Sequence, residues 1–288
     1  MTATAPPVAA PSPAGPVKPP PIDWSAVRVI MEKDLRAVRR SKAVLLPMLL
    51  VPVLLLVVVP LLINLAALAR TNFDISDILT KVPGGLADPI LRLPSKEQLI
   101  VLISCYLLAP LFLIVPMMVS AVLAADTFAG EKDRRTLETL LHLPVGDREL
   151  MIGKILASLV PSLLVSWLGF GAYVIVVNGV GWTATHRMII PTWHWMIVIF
   201  WVGPGVAVVG LGVMVRVSAR ARSSQEANQL GGAVVLPLIF LAVGQSTGLL
   251  LVSIPVALLV GLFIWLVGLL VLVRGARRFS RNALAAKI

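Results

Sequence analysis

A single cysteine, Cys105, excludes any intrachain disulfide and any cysteine cluster that would hold a metal. Charge is also scarce, with Asp, Glu, Lys and Arg making up 14% of the residues against 58% hydrophobic ones, and the mean hydropathy is +0.94. Those proportions exclude a soluble globular domain. No Asp, Glu, Lys, Arg or His falls in the middle of a long apolar run. Ion-coupled carriers and proton pumps keep ionisable groups at membrane depth, and intramembrane metalloproteases need His and Glu there, so the sequence disfavours these classes. Residues 1–22 have neither a basic start nor an apolar core. They read as a disordered tail rich in Pro and Ala rather than a signal peptide.

What the chain has is apolar length. Uncharged runs cover 43–69, 98–125, 155–185, 188–215 and 227–273. A bilayer-spanning helix takes about 20 apolar residues, so the first four runs hold one span each and the last holds two. The break is Gly244-Gln-Ser-Thr-Gly248. The expectation is an all-α membrane protein with six transmembrane helices over 43–273 and a basic tail over 274–288. With the amino terminus inside, only Arg70, Lys81, Arg92, Lys96 and Arg187 of the 25 Lys and Arg lie outside. That positive-inside bias puts both termini in the cytoplasm. The net charge of +11 is read as this bias plus affinity for anionic lipid heads, so membrane lipids are expected partners and nucleic acid is not.

Ahead of the spans, Trp24, Val27, Met31, Leu35 and Val38 form one helical stripe, with Arg28, Glu32, Arg36 and Arg39 away from it. This predicts an interfacial amphipathic helix over 23–42, with Glu32 and Arg36 paired on its wet side. The segment 70–97 reads as an outside connector or a small lid. Trp182, Trp193 and Trp195 fit an interfacial belt, and His186 and His194 are a weak metal signal. Asn64, Ser104, Tyr106, Ser120, Ser158, Ser162, Ser166 and Tyr173 could line a path through the membrane. Gly203, Gly205, Gly210 and Gly212 allow close helix approach in the fourth span, where the small residues are expected to face lipid.

The densest polar stretch runs from Asp126 to Lys154. Leu137, Leu140 and Leu141 recur at i, i+3, i+4, which predicts a short amphipathic helix over 131–142 that ends before Pro144. Asp147 would cap the next helix. Such a helix between two spans suits docking to another protein, and a solvated loop helix accounts for the same pattern. Gly146 to Lys154 is faintly like a phosphate loop, but Ile155 stands where a magnesium-binding Ser or Thr belongs, so this chain is not expected to bind ATP.

Glu131-Lys132-x-x-Arg135-Thr136-Leu137-Glu138-x-Leu140-Leu141-x-x-Pro144-Val145, followed by Arg148-Glu149-Leu150-x-x-Gly153-Lys154, resembles the cytoplasmic signature of ATP-binding-cassette type-2 permeases. Arg222 to Gln229 is similar to the loop before that family's fifth span, and the likeness in spacing and hydropathy covers about Trp24 to Arg281. The resemblance implies the membrane subunit of an exporter near the sodium-export and multidrug branch, not an enzyme in itself. It implies a separate ATPase that binds ATP and magnesium, a second copy or a homologous permease, and a place in the plasma (inner) membrane of a bacterium. It makes Gly130, Glu131, Arg134, Arg135, Thr136, Leu137, Glu138, Leu140 and Leu141 the ATPase-coupling residues, with no catalytic, cofactor or metal site in this chain. The substrate would be apolar or amphipathic, or sodium. A self-sufficient secondary transporter or channel is the alternative, and a membrane-bound enzyme lacks any clustered catalytic set.

Overall fold

The computed structural model describes residues 21–69, 88–133, 145–221, 254–276 and most of 223–231. Among these residues every regular element is a helix. Five helices are long and apolar enough to cross a membrane: Val44–Ala69, Glu97–Ala129, Asp147–Thr183, Trp193–Ser218 and Ile254–Ala276. They match the first four and the last of the expected spans. Most of the expected fifth span, the 70–87 stretch and most of both tails lie outside the described residues, and the last helix runs on to Ala276, into the expected 274–288 tail.

Prolines shape these spans. A proline has no N–H, so the carbonyl four residues earlier loses its helical partner. Wider π-helical turns form at Leu54–Val58, Leu102–Leu107 and Val198–Val202, shortly before Pro60, Pro110 and Pro204. In the second of them the Leu108 N–H reaches back to the Ile103 carbonyl at 3.0 Å. A fourth π turn, Ala125–Ala129, has no such proline and leads directly into the turn Gly130–Asp133.

Helix α1 (Trp24–Arg40) is capped by Asp23, whose carboxylate accepts from the N–H groups of Ser25 and Ala26. Its wet face carries the expected Glu32–Arg36 pair and an Arg28–Glu32 pair. The buried face differs from the predicted stripe: it is Val27, Ile30, Asp34 and Val38, while Trp24 is 64% exposed. A carboxylate can turn inward there because lysines wait for it. Close approach to the third span is set by Gly153, where a Cβ would lie 2.8 Å from Ile30 Cγ2 and 3.1 Å from the Val27 carbonyl.

The fourth span sits at the centre of the bundle, not against lipid as its small residues suggested. A Cβ on Gly210 would come within 2.7 Å of the Met117 carbonyl in the second span, and one on Gly212 within 2.8 Å of Leu272 N in the last span. Trp195 also departs from the expected interfacial belt. It is buried with Phe112, Phe170 and Tyr173, its ring centroid 4.9 Å from that of Phe112 in an edge contact. Trp182 and Trp193 are exposed, as a belt requires.

Several of the polar groups expected to line a path bond within the protein instead. Asn64 Nδ2 donates to the Pro60 carbonyl, Ser104 Oγ to Asn64 Oδ1, Tyr173 OH to the Ser104 carbonyl, and Ser120 Oγ to the Ala207 carbonyl. In a hydrocarbon surrounding each such bond offsets the cost of burying a hydroxyl or amide.

A buried charge junction at the root of the polar segment

Four charges meet where α1, the end of the second span and the start of the third come together. Lys154 lies about 10 Å along the third helix from its start, and its side chain is 1% exposed. Its Nζ is 2.6 Å from Glu131 Oε1 and donates to the Thr127 carbonyl at 2.8 Å. The same nitrogen stands 3.9 Å from Asp34 Oδ2 and 5.5 Å from the centre of the Phe128 ring. Lys33 closes the set from the wetter side, 3.0 Å from Asp34 Oδ1 and 3.2 Å from Glu131 Oε1. Among the described residues the junction holds two lysines and two carboxylates.

Three of the four side chains are buried, and Lys33 is half exposed. Partial burial weakens the hold of Lys33 on its proton, but Asp34 and Glu131 more than offset that, and its pKa lies above the ordinary lysine value. Taking Lys154, Asp34 and Glu131 out of water costs several kcal/mol per ion, which the mutual attraction recovers only while the partners stay in place. Among the described residues Asp34 Oδ2 makes no hydrogen bond, and it faces Lys154 across a 3.9 Å gap.

Local structure delivers these side chains. The π turn Ala125–Ala129 lets the second span continue as helix past Asp126 and Thr127, so both are buried helix residues and not the start of a loop. Gly130 and Glu131 follow in the turn Gly130–Asp133, and both are buried. On the other side the third helix is capped by Gly146, and Asp147, expected as the cap, is its first residue. A Cβ on Gly146 would run into the Glu149 carboxylate, which folds back over the helix start and accepts from the Asp23 N–H. Asp147 and Glu149 in the first turn suit the positive end of the helix dipole.

Of the residues that the resemblance makes ATPase-coupling, Glu131 is 5% exposed and engages Lys154 and Lys33 within the chain. Arg134, Arg135, Thr136, Leu137, Glu138, Leu140 and Leu141, and with them most of the predicted 131–142 helix, lie outside the described residues. Sequence reasoning missed Lys33, Asp34 and Lys154 as partners of Glu131. Asp34 carried a signal, as the one acid between the apolar positions of α1, and so did Lys154, the last charge before a long uncharged run.

A family model described as ABC-2 family transporter protein matches residues 28–255. The chain belongs to the ABC-2 transporter family. Among curated proteins no match is found. The matched stretch of this ABC-2 protein holds Lys33, Asp34, Glu131 and Lys154 together, so the junction lies within the family region. The chain is accordingly a multi-pass membrane component of transport machinery. Among the described residues no group of three or more His, Cys, Asp or Glu could hold a metal ion.

Proposed function

We propose that this chain is the permease subunit of an ATP-binding-cassette exporter, with both termini cytoplasmic and hydrolysis carried by a separate ATPase that binds ATP and magnesium. The observation that carries this reading is the buried junction of Asp34, Glu131, Lys154 and Lys33 at the root of the 134–144 segment. An ATPase that displaces that segment must either move α1 and both spans with it or unpair buried charges. Unpairing is the costlier course, at about 3–5 kcal/mol for a single broken partner. Motion at the segment therefore passes into the membrane helices as a unit.

In this mechanism Glu131 is a positioning residue that fixes the root, behind Gly130. Arg134, Arg135 and Glu138 supply charge-paired contacts to the ATPase, and Leu137, Leu140 and Leu141 a packed face beside Thr136. A second copy or a homologous permease completes the pathway, in the plasma (inner) membrane of a bacterium. The substrate is apolar or amphipathic, because the middle of the spans offers hydroxyls and amides, several already bonded within the protein, and no countercharge for a bare ion. Sodium efflux that depends on this chain and its ATPase, with no drug or lipid phenotype, would reverse that preference.

The decisive experiment is reconstitution with the partner ATPase. Vanadate-sensitive hydrolysis that requires this chain is the expected result, and transport by the lone chain in sealed vesicles would sink the proposal. Leu140→Asp combined with Arg135→Glu should leave insertion intact while hydrolysis no longer drives export. Wild-type export by that double variant removes the segment from the mechanism.

A further inference from the structure

Helix α1 meets the first span at one extended residue, Ser41, with φ −90° and ψ 98°. The corner brings three exposed cations into four consecutive positions: Arg39 and Arg40 end α1, and Lys42 begins the next helix, Lys42–Val53. The ion pairs of α1 engage Arg28, Lys33 and Arg36. Among the described residues, Arg39, Arg40 and Lys42 have no acidic partner. From this corner Lys42, Leu45, Leu46, Leu49, Leu50 and Val53 line an open groove of about 310 Å³, apolar except at the lysine. Its length along the helix is about 16 Å.

A cationic corner that opens onto an apolar groove has the two-part shape of an amphiphile. We infer that it is a binding site for one anionic phospholipid of the leaflet that borders α1. Arg39, Arg40 and Lys42 take the phosphate, and an acyl chain lies along Leu45, Leu46, Leu49, Leu50 and Val53. Charge decides between this occupant and a second copy of the chain. An isologous contact through the groove would set two such groups of three cations against each other, whereas a phosphate neutralises one group. A general surface attraction for basic residues needs no groove, while this site needs both parts. The inference requires only that the chain spans a membrane, so it stands or falls apart from the ATPase.

Native mass spectrometry of the purified full chain in mild detergent tests it, with phosphatidylglycerol and phosphatidylcholine of the same acyl chains added in turn. Wild type should retain phosphatidylglycerol in preference, and Arg40→Gln with Lys42→Gln should lose roughly five-fold of that preference for each cation removed. Leu49→Trp, which fills the groove and keeps the charges, should lower retention of both lipids. If the charge variant does not fold, the Leu49→Trp variant decides alone. Equal retention of phosphatidylglycerol by wild type and variants overturns the site. So does efficient crosslinking of two copies through Leu46→Cys in native membranes, which would put a second copy in the groove.

Discussion

The two ends of the third span are fastened by different chemistry. Near its α1 end, Lys154 is held in a four-charge junction that joins three helices. Some 36 Å away along the helix, Asn178 holds the following loop with a neutral clasp. Its Oδ1 accepts from the N–H groups of Ile189 at 2.8 Å and Ile190 at 3.3 Å, and its Nδ2 donates to the Ile190 carbonyl at 2.6 Å. Beside it Arg187 pairs with Glu97 at the start of the second span, with the arginine half exposed. Buried ions are all or nothing, because each is costly alone, while an amide clasp and an exposed pair give way piece by piece. The α1 end thus resists opening one contact at a time, and the far end holds its loop by separable bonds.

The largest effect is expected from Lys154→Met. Removing it takes the buried cation from beside Asp34 and Glu131, and the loss should be about 3–5 kcal/mol in the unfolding of the purified chain. Adding Glu131→Gln should recover part of that, since it removes one of the two buried carboxylates that Lys154 faces. A single-variant loss below about 1 kcal/mol, the range of an exposed pair, would erase the contrast between the two ends.

Next comes Asn178→Ala, which strips partners from two backbone N–H groups and one carbonyl. About 1–3 kcal/mol is expected, with faster hydrogen exchange at Ile189 and Ile190 and none added around Glu131. Exchange that spreads to both ends would mean that the span does not separate them.

Glu97→Gln should cost only about 0–1 kcal/mol, because the partly exposed pair gains little over water. A larger loss would make the far end an ionic lock as well. The smallest effect is a pH dependence. Because the pKa of Lys33 is raised by folding, its contribution is complete below the ordinary lysine range and fades as pH climbs through the raised value. Alkaline titration of thermal stability should show that loss in wild type and less of it in Lys33→Met.

Much of the architecture could be read without coordinates. Span positions followed from the lengths of uncharged runs, and the first four and the last agree with the helices to within a few residues, apart from the polar first two turns of the third. Helix α1 was visible from its periodicity and its Glu32–Arg36 pair. Its inward face was misjudged at Trp24 and Asp34 because a helical wheel ranks residues by polarity and cannot know that a lysine waits opposite. The serines and Asn64 misled for a similar reason: polarity inside a span marks either a path or an internal bond, and only neighbours tell which.

The sequence by itself determined that this is a multi-pass helical membrane protein and which stretch between spans is chemically distinctive. Those properties are local, since bilayer thickness is compared with consecutive residues and a motif with its own spacing. Only the tertiary structure decided that Glu131 turns inward to Lys33, a partner 98 positions away, and to Lys154. It also decided that the fourth span's glycines serve the bundle core. Such pairings depend on which helix ends become neighbours, and a buried charge or a missing side chain acquires its meaning from the atoms across the gap.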